Sequence, residues 1–184
     1  MKRSVALILS ALMGAVFLSA GSTAATAAPY CGIVWGSLPE SQSLTAPDAP
    51  ITNARAGEHP CFDRFVIDVR GDIRGFDVRY MPEVLRDGSG TPVPLRGAAD
   101  LQVVALAPAY DINNNMALTY DPANDSEALN VDGYATFRQV AFAGSFEGQT
   151  AFGLGVRALL PFRAFILDGP GDASRLVVDV AHRW

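Results

Sequence analysis

His59 and Cys61 are the first residues in this chain whose types and spacing could do chemistry, because a thiol beside an imidazole base is the core of a cysteine nucleophile. Pro60 stands between them, and a strand-like spacing of two does not make a productive pair. The other histidine, His182, is far off in sequence, and both histidines sit in non-helical contexts. Hydrolytic metal sites draw on clustered His, Cys or acidic ligands, often two histidines on one helical face. A metal-dependent hydrolase is therefore not expected, and no metal is assigned. Serine chemistry lacks its G-x-S-x-G elbow, and Gly144-Ser145-Phe146-Glu147-Gly148 reads as a turn between strands. Gly153-Leu154-Gly155-Val156-Arg157-Ala158 matches a dinucleotide fingerprint on paper, but Pro161 arrives too soon for the helix such a loop must enter. These glycines read as part of an edge strand or a bulge, and no cofactor is expected. Asp111, Asn113 and Asn115 open like a calcium loop, yet Met116 and Pro122 occupy the positions of its turn glycine and bidentate glutamate. A different geometry recruiting Asp121, Asp125 or Glu127, and a merely solvated loop, both stay open. Arg70-Gly71-Asp72 reads as a connection between strands and not as an adhesion signal. No catalytic residue is assigned. Glycan binding would use flat aromatics with arginine partners, and the candidates are Tyr80, Tyr134, Arg157, Phe162 and Arg163, each with core packing or a surface ion pair as its competing role.

The compartment follows from the N-terminus. Lys2 and Arg3 precede an apolar run from Val5 to Ala20, and Ala25-Thr26-Ala27 supplies an A-x-A pattern, so residues 1–27 read as a secretory signal cut before Ala28. The run is too short to span a bilayer comfortably, so no stable membrane insertion is expected after cleavage. Residues 28–184 suit one domain and carry twelve arginines against nineteen acidic residues, a formal net charge of −7 with no lysine. That balance opposes nucleic acid and anionic lipid, which both draw affinity from clustered positive charge. In an oxidising compartment the two cysteines, Cys31 and Cys61, are expected to form a disulfide that ties an extension over residues 28–50 to the first strong strand.

The elements that must position all these residues are strands. Apolar residues recur in period two and no long amphipathic helix appears. Phe65, Ile67 and Val69 make one strand; Phe76, Val78 and Tyr80 the next; and Arg70 to Gly75 between them reads as a hairpin connection. Leu101 to Ala105, Tyr134 to Phe142 and Thr150 to Val156 follow, the last two flanking the Gly144–Gly148 turn. Phe162–Leu167 and Arg175–Val180 close the series around Asp168-Gly169-Pro170-Gly171-Asp172, a strong turn signal. Short antiparallel strands spaced by turns predict an all-β sandwich or barrel. Residues 108–132, rich in Asn, Asp and Ala, interrupt the pattern as a loop insertion.

One near-duplication organises the rest. Arg64-Phe65-Val66-Ile67-Asp68-Val69 recurs as Arg175-Leu176-Val177-Val178-Asp179-Val180, which points to a pseudo-symmetric sandwich. In a strand, Arg, the middle Val and Asp share one face and the three other residues share the opposite one. If the copies pair antiparallel with Val66 opposite Val177, Arg64 falls opposite Asp179 and Asp68 opposite Arg175, giving two ion pairs. Adjacency is favoured; the alternative puts one copy in each sheet.

At these residues the chain resembles the AMIN family, the β-sandwich domain of N-acetylmuramoyl-L-alanine amidases and secretins, and most closely the AMIN-like domains of exported actinobacterial proteins. The likeness rests on Phe62–Asp68, Gly75–Tyr80, Asp87–Gly90, Pro92–Leu95, Gly144–Gly148, Pro161–Arg163 and Arg175–Val180 in that order, within residues 51–184. It implies a secreted, cell-wall-associated, non-catalytic module that binds peptidoglycan or an envelope protein. No amidase catalytic domain follows, so a targeting role would lack attached cargo. The alternative is a β-fold carrier of a small apolar ligand, which would need a chamber between its layers, and an enzyme of unrecognised type ranks below both.

Overall fold

The computed structural model describes residues 29–184, and the signal expected over residues 1–27 lies outside them. The tightest local signal is the hairpin of β8 (Phe137–Phe146) and β9 (Gln149–Val156). Its connecting residues Glu147 and Gly148 have φ of 47° and 81°. Two positive φ values in a two-residue loop match the right-handed twist of the flanking strands. A second hairpin joins β10 (Phe162–Asp168) to β11 (Ser174–Ala181) across the expected turn.

The remaining strands are β1 (Glu40–Ser43), β2 (Ile51–Glu58), β3 (Phe62–Val69), β4 (Gly75–Met81) and β5 (Ala99–Ala105), with a small ladder of β6 (Tyr110–Asp111) and β7 (Ala117–Leu118). They form a five-stranded sheet, β1-β4-β5-β9-β8, and a four-stranded sheet, β10-β11-β3-β2, all antiparallel. The all-β sandwich is therefore observed. The inner faces meet in one core, where Phe65, Phe137, Phe152 and Phe162 are fully buried. Phe65 and Phe152 meet edge to face with ring centres 5.2 Å apart. Side chains fill the space in which a carrier would hold its ligand.

The repeat lies where adjacency put it. β3 and β11 pair antiparallel with Val66 opposite Val177, Arg64 opposite Asp179 and Asp68 opposite Arg175. Phe65, Ile67, Val69, Leu176, Val178 and Val180 all turn into the core.

Two strand readings need correction. β3 and β4 are not a hairpin but lie in different sheets, so residues 70–74 arch from one layer to the other. Ile73 explains this, because it is 1 % exposed and would face solvent in a tight hairpin turn. Its amide donates to Ser174 Oγ at 2.9 Å, and that hydroxyl donates to Gly71 O at 2.6 Å. Gly153 and Gly155 sit on β9, between β5 and β8, so the edge-strand reading fails; the ladder does slip between Phe137 and Gln139, opposite Gly155. A Cβ on Gly155 would meet Arg96 O at 2.0 Å and one on Gly153 would meet Leu95 Cδ1 at 2.9 Å, so these glycines admit the backbone lying over the sheet.

Residues 108–132 hold β6, β7 and a 3-10 turn at Asp125–Glu127, and they cap the edge of β8 through Ala128 N to Val140 O at 2.8 Å. Asp111 Oδ1 accepts from Asn113 N and its other oxygen faces Arg70, while Asp125 pairs with Arg86 and Glu127 with Arg96. The carboxylates of Asp111, Asp125 and Glu127 are thus engaged in ion pairs and turns.

The disulfide joins Cys31 to Cys61. From it the extension runs along the open edge of β10, where Gly36 pairs with Phe162, and then becomes β1 on the edge of β4. Glu40 seals this seam, since its Oε2 accepts from Ala164 N at 2.7 Å. Burial, the largest influence, raises the Glu40 pKa; that hydrogen bond and Arg163 oppose the rise. An acid whose folded pKa is raised contributes stability that is present below its unfolded pKa and lost as pH climbs through the folded one. The ionised form at neutral pH therefore weakens the fold. Glu40→Gln keeps an acceptor for Ala164 without the charge, so its urea midpoint at pH 7 should equal or exceed the native one, with the gap closing towards pH 4. A clearly lower midpoint at pH 7 would contradict this account.

Candidate functional site

The outer faces of the two sheets differ. Val84, Val93 and Leu95 fold back over the five-stranded sheet and bury Ala141, Ala143 and Ala151 in a second apolar cluster. Among the described residues no such layer lies over the outer face of the four-stranded sheet, which carries arginines instead. Strand register dictates which ones, because side chains alternate between faces. Arg55 on β2, Arg64 on β3, Arg175 on β11 and Arg163 on β10 all point outward, with Asp68 and Asp179 among them.

At one end, Arg64 grips Asp179 with two parallel hydrogen bonds, Nε to Oδ1 at 2.6 Å and Nη2 to Oδ2 at 2.9 Å. Arg163 adds Nε to Oδ2 at 2.8 Å. Asp179 is fully buried beneath its two partners. A desolvated carboxylate is tolerated only when paired and hydrogen-bonded, and here two planar guanidinium groups do both. Both cations also lie over aromatic faces. Arg163 is 5.0 Å from the Phe165 ring and 5.5 Å from Trp35, and Arg64 is 5.1 Å from Phe62. His59 stacks on Phe62 with centres 4.6 Å apart. The result is two half-buried guanidinium groups framed by flat rings, chemistry suited to sugar faces and anionic groups.

At the other end of the same face the expected second ion pair is replaced. Asp68 lies opposite Arg175, but it accepts both prongs of Arg55 instead, Nε to Oδ2 and Nη2 to Oδ1, each at 3.0 Å, and Asn53 Nδ2 at 3.2 Å. Among the described residues Arg175 keeps only the carbonyl of Asp168, at 3.2 Å.

Of the five residues expected to bind, only Arg163 stands on this face. Phe162 is its neighbour on β10 and so points the opposite way; it is fully buried in the core and offers no surface to a ligand. Tyr80 packs edge to face on Phe162, and its hydroxyl donates to Leu160 O at 2.8 Å and accepts from Leu160 N at 3.1 Å. Burial pushes that phenol up to about 12. Tyr134 stacks half-buried against Phe137, and Arg157 donates to the backbone carbonyl of His182. The five are thus not brought together. Sequence reading missed Trp35, Phe62 and Phe165 as partners of Arg163; for Phe165 the signal was period two counted from Arg163, and for Phe62 the same count from Arg64.

A second polar cluster lies at the Arg64 end of β3, on the inner side of the sheet. Asp63, fully buried, accepts from Thr136 N at 2.6 Å and Phe137 N at 2.9 Å through Oδ2, and its Oδ1 faces His182 Nε2 at 3.0 Å. Glu58 brings a third group, the ligand atoms all lying within 4.8 Å of one another. One nitrogen and two carboxylates could hold a divalent ion in principle. However, the Asp63 contacts already tie β3 to the start of β8 across the two sheets and to His182 after β11, so the cluster reads as a structural clasp. The two histidines, distant in sequence, both flank the start of β3, with His59 N donating to Phe62 O and His182 N to Cys61 O, each at 2.9 Å.

A sequence model of one domain family, the AMIN-like domain, matches residues 49–182. No curated protein matches the chain. No helix among the described residues is long and apolar enough to cross a membrane.

Proposed function

The chain belongs to the AMIN-like domain family, and from that premise we propose that it is an exported, non-catalytic module that binds the cell wall through the outer face of its four-stranded sheet. The observation that carries this reading is the arginine and aromatic face itself, with Arg64 and Arg163 held around Asp179 beside Phe62, Phe165 and Trp35. On a chain with an acidic excess, attraction to nucleic acid or anionic lipid is weak. Rings with guanidinium groups suit the sugar faces and carboxylates of peptidoglycan. The Cys31–Cys61 bridge fits an oxidising, extracytoplasmic setting. In this reading residues 1–27 direct export, residues 28–50 brace the sandwich, and residues 51–184 bind.

The test is co-sedimentation of the mature protein with purified sacculi. Binding should saturate, should be competed by soluble muropeptides, and should fall when Arg163 and Phe165 are replaced together by alanine. Release of soluble muropeptides from the wall by the pure protein would overturn the non-catalytic reading, and failure to sediment would overturn wall binding.

A further inference from the structure

The lower end of the outer face opens into a cleft of about 370 Å³ between β2, the end of β3 and the β10–β11 turn, lined by Arg55, Asp68, Arg70, Pro170, Ala173 and Arg175 among others. Three guanidinium groups meet one carboxylate there, on a chain whose overall balance is acidic. The one carboxylate is fully used, because Asp68 takes both prongs of Arg55 and the amide of Asn53. Arg70 reaches outward to Asp111 at 3.4 Å.

Arg175 is the anomaly. Among the described residues no carboxylate lies in ion-pair contact with it, and its Nε is shut off from solvent with no hydrogen-bond acceptor. A guanidinium N–H removed from water and left unbonded costs stability, and native folds keep such groups for a reason. The acceptor that strand register would supply, Asp68, has been drawn away by Arg55. The closed-off Nε cannot itself meet a ligand, so what the cleft offers is the rest of an Arg175 guanidinium whose charge no carboxylate among the described residues balances.

We propose that this cleft binds the free carboxylate of a short peptide, with Arg175 as its principal partner and Arg70 as a second cation. The balance of charge favours one negative charge over two, since only Arg175 lacks a carboxylate and Arg70 is loosely held. The planar guanidinium fork matches the two oxygens of a carboxylate. Pro170 and Ala173 give the cleft a small apolar wall. The inference rests on the wall-binding reading of the same face, and it names the group recognised there. The same chemistry comes from two sources, a wall peptide ending in D-alanine or the C-terminus of an envelope protein ending in an L-residue.

The probes are N-acetyl-alanyl-alanine in the D,D and L,L forms, each as free carboxylate and as C-terminal amide, with inorganic phosphate alongside. Titrations are followed by isothermal calorimetry and by the Arg175 Nε–H resonance of the mature protein. The free carboxylate should bind saturably and shift that resonance, with the amide at least about tenfold weaker, as expected for loss of a charge-assisted hydrogen bond. Arg175→Gln should lose the same factor, with a thermal midpoint no lower than the native one. Preference for D,D assigns the wall as source, and preference for L,L assigns a protein terminus. Equal binding of acid and amide, phosphate binding as tight as the carboxylate, or unchanged binding in a folded Arg175→Gln would each overturn the proposal. Should that variant not fold, the acid, amide and phosphate comparison on the native protein decides alone. Sacculus binding without any carboxylate binding sinks this site and spares the wall-binding reading; carboxylate binding without sacculus binding does the reverse.

Discussion

Replacing Asp63 with alanine should lower the stability of the domain by about 3–5 kcal/mol, the loss expected when one side of a buried, hydrogen-bonded polar pair is removed. The carboxylate is fully buried, so water does not replace it. Its deletion strands the amides of Thr136 and Phe137, which both point at Oδ2, and leaves His182 without its acceptor. Each stranded buried donor costs about 1–3 kcal/mol by itself. Asp63→Asn separates shape from charge. One amide oxygen can still accept from both backbone donors, so the loss should be about 1 kcal/mol. Urea unfolding followed by tryptophan fluorescence measures both. If alanine and asparagine were equally mild, Asp63 would not be the clasp between β3 and β8.

That clasp was not legible in the sequence, whereas the neighbouring register was. Arg64–Val69 and Arg175–Val180 carry R-x-x-x-D, a pattern complementary to its own reverse, so antiparallel pairing satisfies it in one register only. The identity of the partners was less accessible. Arg55 takes Asp68 from Arg175, and Arg55 lies on β2, a strand that period two does not reveal. The reason is a register shift between Ile51 and Asn53, after which Ile51 and Ala54, three apart, both turn inward. β1 was hidden differently, since Glu40-Ser41-Gln42-Ser43 is wholly polar and is held by its backbone on the edge of β4. The turn signal in residues 70–75 was real but ambiguous, because Gly and Asp serve an arch between sheets as well as a hairpin. Only buried Ile73 tells them apart. Parity divides the candidate binding residues: Phe162 and Arg163 are consecutive in a strand, so one surface cannot hold both.

Removing the disulfide should cost about 3–4 kcal/mol, the loop-closure entropy of an unfolded chain released from a cross-link of this span. The bridge joins residues 30 apart in sequence. Cys31→Ser with Cys61→Ser is the clean form, since it leaves no thiol to rearrange. The consequence reaches further than chain entropy, because the extension it anchors covers the edge of β10. Gly36 N donates to Phe162 O at 3.3 Å, Phe162 N donates back to Gly36 O at 2.7 Å, and the Glu40 carboxylate takes the amide of Ala164. An uncovered edge strand is a template for pairing with another chain. The double variant should therefore show a lower urea midpoint and also self-association that grows with protein concentration in light scattering. β1 would still hold the far end of the extension through its pairing with β4. The loosened stretch is then the part between residue 31 and Glu40, which is the part that lies over β10. Faster amide exchange confined to Phe162 and Ala164 in the reduced native protein would locate the opening there. A double serine variant within about 1 kcal/mol of the native protein, monomeric at high concentration, would mean that β1 and Gly36 hold the extension without the bridge.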